Sequence, residues 1–489
     1  MRSTFGSIET SLRGLRAQQL ALETTGHNIS NANTPGYSRQ VVEMRATDPY
    51  AVPTMNRNTI AGQIGTGVTV AQIRRMRDQF VDRRTQYENA ALGYWDARQR
   101  SFSHLEVILA EPADLETGAS IGFHLNAFWS ALQQLGNANR ADNEAVRSVV
   151  LEKANNLCDT IRSTYRQLIA LREDLNAEIA VKIGRINALA DQIANLNAEI
   201  AKITAVGDQP NDLMDQREVL VGELSNLVSI SIQSDDLNRY SINIAGMLLV
   251  SGDASYTMET KINTDPSSNK NGLYDVVWSH NGKAVKFTDG ELKGLLEMRD
   301  EEVWHYMASL DKFAETLISE FNSQHSQGFD LDGNSGGDFF KGGSGVGTAA
   351  NITLSDDILG DGGWRKIAAA WIESGTWNGE VGNGENALRL AKLIKETPLI
   401  DGSTLSDFYD GLIAKLGVDA EKAHVTYANQ KILIGHLKNM QESVAGVSLD
   451  EEMANLIKFQ NAYNAAARMM TAIDEILDKL INGTGIVGR

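Results

Sequence analysis

The sequence is poor in the residues that carry most site chemistry. One of its 489 residues is cysteine, Cys158, which excludes an intrachain disulfide and a cysteine zinc cluster. Eight histidines stand at 27, 104, 124, 280, 305, 325, 424 and 436, no two of them three or four apart, so no helical metal pair forms. The longest apolar runs, Ala245–Val250 and Ile367–Ile372, fall far short of the ~20 residues a membrane helix needs. Positive charge is also scarce: a net charge of −18 argues against a nucleic-acid or anionic-membrane partner. Gly62, Gly65 and Gly67 miss the dinucleotide and phosphate-loop spacings, and Gly343-Ser344-Gly345 is too short for a nucleophile elbow. The segment Phe329–Asp338 looks like a calcium loop, but counting from Asp330 puts Ser335 where glycine is needed and Lys341 where glutamate is needed. Nothing pairs the carboxylates for acid–base work. No constellation for catalysis, cofactor binding or metal binding stands out among these residues.

What is present is helical periodicity. Prolines stand at 35, 49, 53, 112, 210, 266 and 398, leaving two long gaps in which helices can run uninterrupted. From Leu151, steps of three and four reach Ala154, Cys158, Ile161, Tyr165, Leu168 and onward to Ile203, broken only by Arg172 and Lys182. A seven-residue repeat sustained this long predicts one coiled-coil-like helix of ~80 Å, and hence an elongated molecule. It belongs to an intramolecular helical bundle more naturally than to an intermolecular coil, and Cys158 is a core residue of it. Asp78–Leu109, Asp212–Leu227 and Leu292–Phe321 also read as helix.

The middle changes character. Leu237–Val250 and Tyr274–Phe287 are β-branched and aromatic, and His280-Asn281-Gly282-Lys283 reads as a hairpin turn. Gly328–Gly384 is glycine-rich and carries Trp364, Trp371 and Trp377, which predicts a small irregular or α/β insertion. Those tryptophans serve either a local core or a stacked ligand. The fold class is mainly α with β-rich inserted domains. The expected units are 1–45 with 447–489, 46–235 with 292–327 and 405–446, 236–291, and 328–404.

Each end carries a single apolar stripe. Ile8, Leu12, Leu15, Leu22 and Ile29 make one, and Leu449, Met453, Leu456, Tyr463, Met470, Ile473 and Leu477 the other. Ser448 is placed as the N-cap of the second helix, with acids in its first turn. Neither stripe is covered by adjacent sequence, so the ends need each other or a neighbouring subunit; an ordinary hairpin packed on the body is the alternative. Five Arg against three Glu in 1–45 face four Lys/Arg against six Asp/Glu in 447–489, which permits pairing. Pro35-Gly36 predicts the turn where the first helix stops. Asn28, Asn31 and Asn33 either follow loop propensity or bond backbone at that turn. The first ten residues hold no apolar core of the ~7–15 residues of a secretory signal, so composition alone points to the cytosol.

The segment from Ala21 to Gln40, with Asn31-Ala32-Asn33-Thr34-Pro35-Gly36-Tyr37-Ser38-Arg39, closely resembles the N-terminal signature of bacterial flagellar rod, hook and hook-associated proteins. Three further segments narrow it: Gly65–Val70 with Ile73-Arg74-Arg75 and Asp78-Gln79-Phe80, then Pro210–Arg217, then Val447–Leu456 with Phe459-Gln460-Asn461-Ala462-Tyr463. These look like the hook-associated protein 1 family, and they cover about 1–250 and 420–489; Gly328–Gly384 matches it poorly.

The resemblance implies a structural subunit, not an enzyme and without a cofactor, in a ring between flagellar hook and filament, with the terminal helices paired as a coiled coil lining the channel. It implies as partners other copies of itself, the hook protein, a second hook–filament junction protein, a cytoplasmic chaperone holding the C-terminal segment, and the flagellar type III export apparatus. The chain would then pass from the cytoplasm to an extracellular, flagellar location without a signal peptide. The implied axial interface comprises Ile8, Leu12, Leu15, Leu22, Ile29, Asn31, Asn33, Pro35, Leu449, Met453, Leu456, Phe459, Tyr463, Met470, Ile473 and Leu477. The alternatives are another axial protein of hook, rod or filament type, or a secreted adhesin or enzyme with its site in the tryptophan-bearing insertion. Ends that order only on meeting would couple folding to assembly.

Overall fold

A computed structural model describes residues 5–49, 65–109, 120–137, 141–373, 375, 377 and 379–483. Residues 1–4 and 484–489, assigned above to the axial unit, lie outside it. In chain order the elements are α1 (Phe5–Ser30), β1 (Gln40–Ala46), β2 (Val68–Arg75), α2 (Gln79–Leu109), α3 (Ile121–Gly136), α4 (Glu144–Ala205) and α5 (Asn211–Leu227). There follow β3 (Ser231–Ser234), β4 (Tyr240–Ile244), β5 (Met247–Ser251), β6 (Ala254–Ser255), β7 (Met258–Ile262) and β8 (Tyr274–Trp278). Then come α6 (Glu291–Glu297), a π-helical turn Met298–Glu302, α7 (Val303–His325), β9 (Phe340–Lys341), α8 (Thr348–Asn351), β10 (Thr353–Leu354) and α9 (Asp356–Leu359). A 3₁₀ turn, Gly363–Lys366, precedes α10 (Glu385–Lys395), α11 (Leu405–Ala445) and α12 (Leu449–Asn482). The chain is mostly helical with small antiparallel sheets: β1–β2, β3–β4–β5–β6, β7–β8 and β9–β10.

The long helix is there. The 62 residues of α4 rise ~93 Å at 1.5 Å each. It starts because the Asn143 carboxamide oxygen accepts from the Ala145 amide at 2.9 Å. Its stripe of Ala154, Cys158, Ile161, Tyr165, Leu168, Leu175, Ile179, Ile186, Leu189, Ile193 and Ile200 is buried. Burial pushes the Cys158 thiol up to about 12, which leaves it a neutral core residue. Both interruptions have a physical account. Arg172 is buried and donates to the carbonyls of Arg299 (3.0 Å) and Asn269 (2.6 Å), with its guanidinium 5.0 Å from the Trp304 ring centre. Lys182 lies at the edge and pairs with Glu291 at 2.7 Å.

Three expectations are corrected. The glycine-rich segment 328–404 is not an outlying insertion. Phe339 and Phe340 pack on Phe128 of α3 and Phe321 of α7, and Ile367, Ala369, Ala387, Leu390 and Ile394 join the same core. Trp364, Trp371 and Trp377 are half-buried around it, with Arg389 stacked 4.0 Å from the Trp371 ring centre and Trp377 against Phe329. Second, strands begin earlier than expected: β3 opens at Ser231, and β1–β2 straddles the boundary at residue 45 inside what read as helical territory. Third, Tyr274–Phe287 holds one strand, β8, and not two. The His280–Lys283 turn is made as expected, with the Gly282 amide donating to the Trp278 carbonyl at 2.8 Å. The returning chain pairs with β8 at the Ala284–Val277 bridge, flanked by bonds from the Trp278 amide to the Lys283 carbonyl and from the Val285 amide to the Val276 carbonyl, both 2.9 Å.

In the calcium-like loop, Asp330 accepts the amides of Asp332 (2.9 Å) and Asn334 (2.8 Å), and Lys366 stands 3.5 Å from its other oxygen. Among the described residues no cluster of His, Cys, Asp and Glu is arranged to hold a metal, and no helix is long and apolar enough to cross a membrane.

His325 pins this segment. Its ring bonds the Gly337 carbonyl through Nδ1 (2.6 Å) and accepts the Ala368 amide at Nε2 (2.9 Å). A ring that accepts at one nitrogen is neutral, and burial holds its pKa down at about 4. The unfolded chain takes up that proton near pH 6.5, so the contribution is whole above 6.5 and lost as pH falls toward 4. Urea unfolding of the wild type should show a loss on the order of 3 kcal/mol from this site across that window. His325→Gln should flatten the slope there.

Candidate assembly interface

The apolar core runs from Ala97 to Ala423 and takes in no described residue of α1, β1, β2 or α12. These four elements form an arm in which α1 packs on α12 and on both strands. Two tie points set the geometry of the helix pair. Asn28 Nδ2 donates to Glu452 Oε2 at 3.0 Å, and a Cβ on Gly14 would lie 3.9 Å from that of Ala466. The tie points are fourteen residues apart on each helix and run in opposite senses, so the pair is antiparallel. Ser448 caps α12 as expected, accepting from the Glu451 amide.

The expected stripes are only partly what the helices bury. Ile8, Leu12, Leu15, Leu22 and Ile29 are half-buried; the fully buried residues of α1 are Ala17, Ala21, Thr24, Thr25 and Asn28. On α12, Leu456, Phe459, Met470, Ile473 and Leu477 are half-buried, whereas Leu449, Met453 and Tyr463 are exposed. Glu452 is the single fully buried residue of α12. At the turn, Asn33 and Pro35 are exposed, and Asn31 bonds locally to the His27 carbonyl (3.1 Å) and Thr34 (3.2 Å). None of these three joins the helix pair through a hydrogen bond described here; Asn28 does.

Asn28 is 1% exposed and uses every polar atom. Besides Glu452, its Nδ2 donates to the Gln40 carbonyl (2.9 Å), while its Oδ1 accepts from the Gln40 amide (3.0 Å) and the Tyr37 hydroxyl (2.7 Å). Burial, with Asp212, Asp215 and Glu452 close by, holds the Tyr37 hydroxyl far above its ordinary pKa, so it stays a donor.

The arm joins the body through α5. Gln40 Nε2 donates to Asp212 (2.7 Å), and Asn211 Nδ2 donates to Gln40 Oε1 (3.1 Å) and the Ile73 carbonyl (2.9 Å). Buried Asp215 accepts the Ser38 amide and hydroxyl, both at 2.8 Å, and pairs with Arg75 at 2.7 Å. Arg217 completes the segment, donating to Asn197 of α4 (2.8 Å) with its guanidinium 3.5 Å from the Tyr240 ring centre. The Pro210–Arg217 block is therefore the body's half of a polar joint, and the Asn28–Gln40 block is the arm's half.

The turn within the arm's half needs glycine. Gly36 has φ +80°, and a Cβ there would fall 2.2 Å from Val219 Cγ2. Gly36→Ala should cost about 1–3 kcal/mol in thermal unfolding. Adding Val219→Ala should recover the clash but not the backbone strain, so rescue is partial.

Comparison with known proteins identifies the family. Residues 102–340 match the family described as the flagellar hook-associated protein FlgK helical domain. Residues 8–37 match the flagella basal body rod protein family, and 441–483 the C-terminal family of flagellar basal body rod FlgEFG proteins. The flagellar hook-associated protein 1 of Bacillus subtilis is 34% identical over 523 residues, covering 100% of both chains. That of Escherichia coli is 26% identical, covering 97% of this chain and 99% of its own. The structure of the flagellar hook junction protein FlgK from Burkholderia pseudomallei superposes with a TM-score of 0.65 at 17% identity, covering 74% of this chain and 100% of that one, a likeness of fold. With a relative this similar along its entire length, the chain belongs to the flagellar hook-associated protein 1 family.

Proposed function

We propose that the α1–α12 arm is the axial element through which copies of this flagellar structural subunit join at the hook–filament junction, as a coiled-coil layer around the channel. One observation carries the reading. α12 leaves Leu449, Met453, Ile457, Met469, Ile476 and Ile481 exposed, Met453 by 59% and Ile481 by 70%, along a helix that buries one residue. A helix with that much apolar surface in water needs a further cover, and an adjoining copy, which carries the same exposed apolar residues, supplies one. Hook protein below and the second junction protein above are the other neighbours this reading requires.

The reading includes export through the flagellar type III apparatus to the cell exterior, with a cytoplasmic chaperone shielding α12 before export. It assigns no catalytic role. A hook, rod or filament role is disfavoured because the family matches at the two ends are short, while the helical domain at 102–340 is that of a hook-associated protein.

The test is electron microscopy of cells lacking this chain. Bare hooks, with filament protein released into the medium, are expected; filaments of ordinary length would overturn the reading.

A further inference from the structure

The one residue that α12 buries is a carboxylate, and this is not what stability alone selects. Glu452 is 3% exposed, against a helix face built from small side chains: Gly14, Ala17, Ala21 and Thr25. Taking a carboxylate out of water costs several kcal/mol unless its bonds are replaced, and an apolar residue of similar volume often serves as well or better. A face of small residues has little relief, so it discriminates poorly between alignments of the partner helix. A single buried polar contact in such a seam penalises every alignment in which it is left unpaired.

We propose that the Asn28–Glu452 hydrogen bond is the alignment key of the terminal helix pair: it selects the register and the face with which α12 docks on α1. The key is itself held, because the three other bonds of Asn28 fix its amide to Gln40 and Tyr37, and Gln40 is bonded to α5. Alignment of the pair and attachment of the arm to the body are thus read by one side chain. Beside it, Arg39 pairs with the neighbouring Glu451 at 2.7 Å, but Glu451 is exposed, and an exposed pair contributes little to alignment. The inference deepens the axial-assembly reading and rests on the arm being its working element.

Cross-linking tests it, because the native cysteine, Cys158, is buried and leaves introduced pairs alone at the surface. The Gly14–Ala466 Cβ separation of 3.9 Å is close to the ~3.8 Å of a disulfide. In the purified full-length chain, Gly14→Cys with Ala466→Cys reports the native alignment. Gly14→Cys with Met469→Cys reports the wrong face, and Gly14→Cys with Ile473→Cys a slip of one heptad. With Glu452 present, the native pair should form about tenfold faster than either other pair. Glu452→Leu should bring that preference to about twofold or less while helix content holds. Glu452→Gln, whose amide oxygen still accepts from Asn28, should stay within about twofold of wild type.

A tenfold preference surviving in Glu452→Leu would overturn the proposal. So would equal rates with Glu452 present, or loss of all three cross-links in Glu452→Leu, since the residue would then hold the pair together rather than align it. Glu452→Gln behaving like Glu452→Leu would assign the effect to charge, also against the key. The readout is on unassembled chain and filament growth is scored separately on cells, so failure of the key and failure of the axial reading are distinguishable.

Discussion

Deleting residues 461–489 is expected to abolish filament attachment while leaving the body folded. The deletion removes two thirds of α12, including Met470, Ile473 and Leu477, and strips the cover from the first half of α1. What remains of the arm is the base around Asn28 and Glu452, too short to hold a helix pair in water. The body does not depend on it, because the apolar core from Ala97 to Ala423 has no member in α12. The measurement has two parts. Microscopy of cells expressing the truncated chain should show hooks without filaments, and the purified chain should keep the main thermal transition of the full-length protein within ~2 °C. Normal filaments would refute the role of α12; a collapsed main transition would refute the separation of arm and body.

Asp215→Ala should have the next largest effect. The carboxylate is 4% exposed and receives Ser38 twice and Arg75 once. Its loss leaves the Ser38 amide and a mostly buried guanidinium without their acceptor, a cost of about 3–5 kcal/mol for a broken buried pair. The cost falls on the joint and not on the core, so the arm should come away from the body before either unfolds. Limited proteolysis should cut within 31–39 at least tenfold faster than in wild type, and hydrogen exchange should rise in α5 and β2 but not in α4. Asp215→Asn, which can still accept one bond from Ser38, should fall between the two. Equal cleavage rates in all three would show that Asp215 does not hold the joint.

Much of the body was legible in the sequence for one reason: long runs of heptad spacing leave little choice. α4 read correctly because its pattern persists for more than fifty residues, and Arg172 and Lys182 were visible as interruptions though not as anchors. The turn at Pro35-Gly36 and the cap at Ser448 followed from local chemistry. Residues 328–404 did not read correctly. Glycine there marks tight turns that let Phe339, Phe340 and Ile367 reach the shared core, and glycine content alone reads as loop. β1 and β2 run seven and eight residues but carry Gln40, Glu43, Arg45, Thr69, Gln72 and Arg74 among their apolar residues, so they read weakly as strands.

On the terminal helices spacing and burial single out different residues. Periodicity favours large apolar side chains such as Ile8, Leu12 and Leu15, whereas within one chain α1 buries the small face of Ala17, Ala21 and Thr25. Glu452 falls among the acids at the start of the helix that Ser448 caps, a role indistinguishable by spacing from the buried one. For Asn28 the local signal was an amide able to bond backbone at the turn, which it does at Gln40; Asp215 had only its place in a segment that carries the family resemblance.

An apolar core that takes in none of the arm should make this polypeptide melt in two steps, as two units of unequal strength. The larger one stays cooperative over most of its mass. The smaller is linked to it by groups that water can replace, so it opens first and closes last, and its amides exchange on a schedule of their own. A subunit made this way can arrive at its place with its bulk already set and its tip still free to choose its neighbours.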